Sequence, residues 1–248
     1  MFRFLFYPAT RYKRPELLRG QSVDIRFEAA GVDFGGRTVL EPLTLSLSQR
    51  RIGVIGLNGS GKSTFARLIT GLLSPTRGAV ALDGLDTVKD TGALSGRTGY
   101  IFQNPANQII MPVVAEDMEF GLKGRGMDKA ARAAAVSRTL ESLGVSHLAS
   151  RRAHELSGGE LQLAALAAVL VTGPDTIILD EPTNQLDLKN RRVVEQTMAG
   201  LSQQLVVISH DLPLLDGFDR VLLFHEGRLA ADAPPAEAIA RYLEIASP

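Results

Sequence analysis

The segment Gly56 to Thr64, with the sequence GLNGSGKST, constrains the fold of this chain more than any other feature. It has the spacing G-x-x-x-x-G-K-S and lies between a short apolar run, RRIGVIGL, and a segment with helical periodicity, STFARLITGLL. Glycines at these positions allow backbone N–H groups to surround an anion, and the following helix start adds positive potential. The pattern therefore predicts a strand, a phosphate-binding loop and a helix, in this order.

The polar side chains of this loop have distinct expected roles. Lys62 is expected to reach the β- and γ-phosphates of a nucleotide, Ser63 to ligate Mg²⁺, and Thr64 to touch the α-phosphate. The other loop residues expected to bind ATP are Asn58, Gly59, Ser60 and Gly61. We therefore expect ATP with Mg²⁺ as the ligand.

Apolar runs alternate with helical segments on both sides of the loop. TGYIFQ, TIILD, QLVVIS and RVLLFHEGRLA are interpreted as strands, and residues 235–245 as a last helix. This alternation predicts a mainly parallel sheet that is covered on both faces. Two earlier runs, VDIRFEAAGVDF and VLEPLTLSL, alternate between apolar and polar residues and predict an antiparallel sheet. The stretch from about 104 to 158 lacks strand signals and is predicted to be a helical insert.

The composition excludes several classes of partner. Lys and Arg together number 27, as do Asp and Glu, so no net field draws the chain to nucleic acid or to an anionic membrane. The absence of cysteine excludes disulfides and thiolate metal sites. Neither the opening MFRFLFYPATRYKR nor the run LQLAALAAVLV approaches the length of a membrane span, about 20 residues. We therefore expect any membrane role to depend on a partner.

Two acidic residues follow the apolar run TIIL. Asp180 ends that predicted strand beside the phosphate loop, where it is placed to hold Mg²⁺ directly or through water. Glu181 comes next, close to where an attacking water would lie, and is the candidate to orient that water and take its proton. The pair predicts a hydrolytic site.

Three further polar segments lie at element ends. His210 follows the strand QLVVIS and is predicted to contact the γ-phosphate, while Gln103 follows TGYIF and can reach Mg²⁺ or the water. HELSGGELQL places Ser157, Gly158 and Gly159 at the start of a helix, which is a second anion-binding turn. The sequence thus has two phosphate-binding turns and one evident nucleotide site.

Together these segments resemble the ATP-binding cassette (ABC) ATPases over about residues 23 to 232. The resemblance rests on GLNGSGKS, Gln103, LSGGE, ILDEP, NQLD and His210, in the order of that family. It implies a P-loop NTPase core of the RecA-like α/β class, with an antiparallel β-subdomain and an inserted helical subdomain. Residues 1–20 are expected to form an irregular extension and residues 21–248 the ATP-binding domain, with the helical subdomain at about 104–158.

The resemblance also implies a use for the second anion turn. In this family two cassettes face head to tail, so the signature of one chain, here Ser157, Gly158, Gly159 and Glu160, holds the ATP of its partner. Asp187 in NQLD would lie at the seam of that dimer. Phe34 would stack on adenine in place of the usual Tyr. The Arg that often follows the signature's Gln is absent from ELQL.

FQNPANQIIMPVVAEDMEFGL resembles the ATPases of energy-coupling factor importers, which take up vitamins and transition-metal ions. This resemblance implies a second ATPase subunit (the same chain or a different one), a transmembrane coupling subunit and a substrate-binding membrane subunit. It places the chain at the cytoplasmic face of the membrane. Within the group, the compact C-terminus and RRIGVIGLNGSGKST look most like the biotin-importer ATPase, with the cobalt and nickel ATPases as alternatives.

ABC ATPases without a transport role are the competing class. Those associated with DNA need a long heptad segment, for which the interval between Lys62 and Ser157 has no room. Those associated with ribosomes usually carry two cassettes in one chain, and the neutral charge disfavours nucleic acid. A transport ATPase is therefore the favoured interpretation.

Overall fold

The computed structural model describes residues 23–247, so the extension predicted for residues 1–20 lies outside the described residues. The strands, numbered in chain order, are β1 (Ile25–Phe34), β2 (Arg37–Leu47), β3 (Arg51–Gly56), β4 (Arg77–Leu82), β5 (Leu85–Asp86), β6 (Thr98–Ile101), β7 (Thr176–Asp180), β8 (Gln204–Ile208), β9 (Arg220–His225) and β10 (Arg228–Ala233). The helices are α1 (Lys62–Ile69), α2 (Thr91–Leu94), α3 (Val114–Gly121), α4 (Lys129–Ser142), α5 (Gly158–Leu170), α6 (Leu188–Gly200) and α7 (Pro235–Ala246).

The main sheet has six strands in the order β10-β9-β3-β8-β7-β6. Neighbouring strands from β9 to β6 pair in parallel, and β10 pairs antiparallel to β9 at one edge. The mainly parallel sheet that the sequence predicts is therefore confirmed. Because the strands are parallel, the carboxyl ends of β3, β6, β7 and β8 meet at one edge of the sheet, and the functional loops follow from there.

Alternate residues of the main sheet enter different apolar clusters. Val54 and Ile178 belong to a cluster that also includes α1, whereas Ile177 and Leu179 belong to a cluster with α3, α4, α5 and α6. Ile55 packs in a third cluster, against α7. Both faces of the sheet are thus covered, which explains why the sequences of its parallel strands are continuous apolar runs.

A smaller sheet, in the order β2-β1-β4-β5, is antiparallel as the sequence predicts. Helix α1 lies between the two sheets. The ring of Phe65 in α1 stacks on Phe27 of β1, with centroids 4.8 Å apart, and lies 4.9 Å from the ring of Phe224 in β9. The helix that follows the phosphate loop is therefore fixed on two sides by buried aromatic side chains.

Between Gln103 and Ser157 the structure has helices α3 and α4, with short 3₁₀ turns. The two ends of this segment are joined by backbone hydrogen bonds: the N–H of Val114 donates to Arg151, and that of Ala153 donates to Pro112. An isolated antiparallel bridge joins Val113 to Arg152 at the same point. The segment therefore leaves and re-enters the core as one closed unit.

The prediction of a single strand over RVLLFHEGRLA is wrong. The strand ends at His225, and the chain turns back through Glu226 and Gly227, whose φ values are 47° and 76°. Positive φ at both central residues is typical of the tight turns that join twisted antiparallel strands. The turn also supports the phosphate loop, because the N–H of Gly227 donates to the carbonyl of Ser60.

Within residues 23–247, no helix combines the length and apolar character that crossing a bilayer needs.

Candidate active site

The phosphate loop connects β3 to α1, as the sequence predicts. Gly56 has a φ of 145°, and a Cβ at this position would lie 2.1 Å from the carbonyl oxygen of Phe224. Gly61, just before the helix, has a φ of 101°. Only glycine meets both the conformation and the space at Gly56, so the loop can follow the end of β9 closely.

Lys62 is the first residue of α1, and its side chain is largely buried. Its ammonium group donates to the carbonyl oxygens of Gly56, at 2.8 Å, and Leu57, at 2.9 Å. Burial lowers the pKa of Lys62, and the charges of Glu181 and Asp180 oppose that effect. The lysine therefore lies inside the loop, close to both acidic residues.

A buried hydroxyl in the loop has no hydrogen-bond partner within residues 23–247. The Oγ of Ser60 is inaccessible and makes no hydrogen bond within residues 23–247. Buried polar groups usually have a partner, so an unpartnered hydroxyl in a glycine-rich turn fits a site for a phosphate oxygen. Ser63 and Thr64 follow in the first turn of α1 and are partly buried.

Asp180 ends β7, between β6 and β8, and its side chain is 7% exposed. Its Oδ2 accepts a hydrogen bond of 2.7 Å from the hydroxyl of Tyr100 in β6. The sequence did not indicate Tyr100 as a site residue, because a tyrosine in an apolar strand is usually part of the core. Strand order and register, which the sequence does not display, bring the two side chains together.

Glu181 directly follows β7 with a φ of 54°. Its N–H donates to the carbonyl of Ile208, and its Oε2 accepts from the N–H of His210 at 3.2 Å. The Nε2 of His210 lies 3.4 Å from Oε1, the other carboxylate oxygen, which makes no hydrogen bond within the described residues. Burial raises the pKa of Glu181 above its usual value, against the opposing effect of His210. The structure thus places Glu181 and His210, two of the three residues predicted to be catalytic, side by side.

Phe34 is the last residue of β1, and Gln103 lies two residues after the end of β6; both are exposed. Phe34 is 53% exposed, which leaves its ring free to stack on a flat ligand. Gln103 follows β6, which pairs in parallel with β7. Gln103 and Asp180 therefore lie at the same edge of the main sheet.

The oxygen donors at this edge suit Mg²⁺. A hydroxyl (Ser63), a carboxylate (Asp180) and an amide (Gln103) are hard ligands of the kind this ion prefers. No group of three or more His, Cys, Asp or Glu side chains in residues 23–247 could hold a metal by itself. A divalent cation here would need phosphate oxygens to complete its coordination, as Mg²⁺ commonly does in nucleotide sites.

The second anion turn begins α5. Ser157 is the N-cap, and its Oγ and N–H both donate to the carboxylate of Glu160, at 2.8 and 2.9 Å. Hydrogen bonds from Ser157 hold the pKa of Glu160 below its usual value. Ser157 and Gly158 are exposed, so the start of α5 is accessible to another molecule.

Asp187 is the N-cap of α6 and accepts from the backbone and the side chain of Asn190, at 2.8 and 3.1 Å. The side chain of Asn190 in turn packs on Gly159, where an added Cβ would lie 2.5 Å from its Oδ1. The second anion turn and the predicted dimer seam are therefore in direct contact within one chain.

A further ion pair joins α6 to the segment after β8. The guanidinium of Arg191 contacts the carboxylate of Asp211, the residue that follows His210. The same guanidinium lies 2.8 Å from Glu195 one turn later. The sequence did not indicate this connection, since it depends on the rotational phase of α6.

Comparison with known proteins was consistent with this geometry. A family model described as "ABC transporter" matches residues 40–184. The biotin transport ATP-binding protein BioM of Rhizobium etli is 61% identical over 225 residues, which cover 91% of this chain and 100% of that protein. The energy-coupling factor transporter ATP-binding protein EcfA1 of Symbiobacterium thermophilum is 39% identical over 196 residues, or 77% of this chain and 68% of that protein.

Among solved structures, cbiO1 from Clostridium perfringens, part of the ABC transporter complex cbiONQ, has a TM-score of 0.79 to this chain. It is 26% identical, and the match covers 90% of this chain and 93% of cbiO1.

Proposed function

The chain belongs to the ABC transporter family of ATP-binding proteins, and on that premise we propose that it energises a biotin importer of the energy-coupling factor type. The observation that carries the proposal is the 61% identity to the biotin transport ATP-binding protein of Rhizobium etli, which extends over the whole of that protein. The similarity to an energy-coupling factor ATP-binding protein supports the type of importer.

The site geometry supports a route for ATP hydrolysis. The phosphate loop and Lys62 hold the β- and γ-phosphates, while Phe34 stacks on adenine. Glu181 orients a water and takes its proton as the water attacks the γ-phosphorus, and the bond from that phosphorus to the bridging oxygen breaks to release ADP and phosphate. The Oε1 of Glu181 makes no hydrogen bond within the described residues, which supports this role. His210, 3.4 Å from that oxygen, contacts the γ-phosphate and limits the movement of Glu181.

Mg²⁺ is the second component of this site. Ser63, Asp180 and Gln103 would hold it, and it would neutralise charge on the β- and γ-phosphates. The all-oxygen donor set supports this assignment.

The exposed start of α5 supports a head-to-tail pair of ATPase subunits. We assign Ser157, Gly158 and Gly159 to the γ-phosphate of the partner's ATP, with Glu160 holding Ser157 in place. Asp187 would then lie at the seam, next to the signature through Asn190. A pair of identical chains would contain two such sites.

We assign residues 104–117, within the helical subdomain at about 104–158, to the docking surface for a transmembrane coupling subunit at the cytoplasmic face of the membrane. Ile110 supports this surface, because its side chain is 64% exposed although it lies among apolar residues. A separate membrane subunit would bind the transported molecule, so this chain needs no pocket for it.

Replacement of the similar ATP-binding protein in Rhizobium etli tests the proposal. Rhizobium etli cells that lack their own biotin transport ATP-binding protein should regain uptake of labelled biotin when they produce this chain. The Glu181→Gln chain, produced to the same level, should not restore uptake. Uptake of cobalt or nickel ions in place of biotin, or co-purification with DNA or ribosomes and no membrane protein, would contradict the proposal.

A further inference from the structure

Tyr100 and Asp180 form a buried pair beside the phosphate loop. Their side chains are 8% and 7% exposed, and the phenol hydroxyl donates to Asp180 Oδ2 at 2.7 Å. We propose that Tyr100 is a positioning residue that orients the Asp180 carboxylate toward nucleotide-bound Mg²⁺, so that metal affinity depends on its hydroxyl. The inference rests on the proposed function, because it takes Asp180 as the carboxylate that faces the metal.

The register of β6 and β7 explains the contact. Tyr100 pairs with Ile178, and Asp180 lies two residues further along β7, on the same face of the sheet. Diagonal neighbours of this kind are within reach of an aromatic side chain. The hydroxyl therefore approaches the carboxylate along the sheet surface, from the side away from β8.

The phenol has little freedom to move. Its ring lies 4.8 Å from that of Phe102, and the residue belongs to the apolar cluster around α1. A phenol is protonated at neutral pH, so the hydroxyl acts as the donor in its hydrogen bond to Asp180. Arg67, in the last turn of α1, approaches the same hydroxyl and links it to the helix that begins with Lys62.

The hydrogen bond from Tyr100 makes the two carboxylate oxygens of Asp180 different from each other. Oδ2 accepts from the phenol, so Oδ1 is the oxygen that would be left for the metal or for a water bound to it. The terminal torsion of an aspartate is broad, and a fixed donor on one oxygen restricts it. Groups that orient a metal ligand in this way typically contribute 10–100-fold to metal affinity.

A purely structural role for Tyr100 makes a different prediction. A buried hydroxyl needs an acceptor, and Asp180 could serve only that need. Loss of the hydroxyl would then change the stability of the fold and leave metal affinity as it was. Metal binding therefore separates the two roles.

The test is Tyr100→Phe, which keeps the ring and removes the hydroxyl. Mn²⁺ replaces Mg²⁺, and its binding to the full chain with the β,γ-imido analogue of ATP is followed by electron paramagnetic resonance. We expect the dissociation constant of Mn²⁺ to rise about 10-fold or more. Affinity for the analogue in EDTA should stay within about twofold. Tyr242→Phe, the same change on α7, should alter neither value.

Two results would overturn the inference. In the first, Tyr100→Phe folds and binds Mn²⁺ as tightly as the parent. In the second, the affinity of Tyr100→Phe for the analogue in EDTA falls as much as its affinity for Mn²⁺. The substitution would then act on the phosphate loop and not on the metal site. A parent chain that binds no nucleotide would instead refute the proposed function, and the inference with it.

If the Tyr100→Phe chain does not fold, a second measurement tests the inference on a chain that keeps Tyr100. The chain has four tyrosines, so 3-fluorotyrosine gives few resonances, which replacement of the other three assigns. Addition of Mg²⁺ to the complex with the analogue should shift the fluorine resonance of Tyr100. A resonance that does not respond to Mg²⁺ contradicts the inference.

Discussion

The imidazole Nε2 of His210 lies 3.4 Å from Oε1 of Glu181, and the backbone N–H of His210 donates to Oε2 of the same carboxylate. The two residues follow β7 and β8, which are neighbours in the main sheet. The N–H of Glu181 also donates to Ile208, the last residue of β8. Adjacent strand ends therefore hold the proposed base and its histidine together.

The role of Glu181 as a base predicts a specific defect in Glu181→Gln. ATP should still bind, because the phosphate loop is intact, while turnover falls by about 10²-fold or more. Lys62→Ala should instead weaken nucleotide binding. Binding by fluorescence titration and turnover by phosphate release give the two values, with Glu237→Gln on the exposed face of α7 as control. Equal loss of binding in both site variants would refute the role of Glu181.

The raised pKa of Glu181 predicts a pH-dependent change in stability. At neutral pH the buried carboxylate is charged at a cost that Gln does not incur, so Glu181→Gln should melt at a higher temperature than the parent. Below the usual pKa of 4.5 the carboxyl is protonated in both the folded and unfolded states, so the difference should disappear. Melting curves at several pH values measure this. If the melting temperature of Glu181→Gln exceeds that of the parent by a margin that grows as the pH falls, the prediction is contradicted.

The packing of Gly159 on Asn190 predicts that two adjacent signature glycines differ in tolerance. An added Cβ at Gly159 would lie 2.5 Å from Asn190 Cγ, whereas one at Gly158 would lie 3.5 Å from Leu186. Both changes gain similar helix propensity, so Gly159→Ala should be less stable than Gly158→Ala by about 1–3 kcal/mol. Urea denaturation measures the difference, and Asn190→Ala should reduce it. Equal stabilities would contradict this packing.

The exposure of Ile110 predicts a variant that separates transport from ATP hydrolysis. Ile109 packs against the apolar cluster of the helical segment, so a charge there would also disturb the fold. Ile110→Glu should abolish biotin uptake and assembly with membrane subunits, while the ATPase activity of the isolated chain stays within about twofold. Leu243→Glu, a similar change on α7, is the control. Uptake that survives Ile110→Glu would place the contact elsewhere.

Much of the site was predictable because its residues stand where apolar strands stop. Each of TIIL and VVIS is followed directly by a polar residue, and the parallel order of these strands brings Asp180, Glu181 and His210 to one edge. The phosphate loop was predictable for a similar reason, since its glycines lie between a strand and a helix.

The remaining contacts depend on features that sequence periodicity does not contain. The pair Tyr100–Asp180 needs the order of β6 and β7 and their register, and the pair Arg191–Asp211 needs the rotation of α6 relative to β8. The sequence does not predict the turn at Glu226 and Gly227, because a single Gly after a charged residue is a weak turn signal and apolar residues continue on both sides.

The most direct test of the account asks whether Ser157 serves the ATP of the partner chain. Ser157→Arg blocks the signature and leaves the phosphate loop intact, and Lys62→Ala does the reverse. Both are made in the Glu181→Gln background, in which bound ATP is retained, and dimer formation is followed by sedimentation. Neither chain alone should dimerise with ATP, because each homodimer lacks both composite sites. In the mixture, one site combines the intact loop of the first chain with the intact signature of the second, so the account predicts an ATP-dependent dimer. Two folded variants that form no dimer when mixed would contradict it.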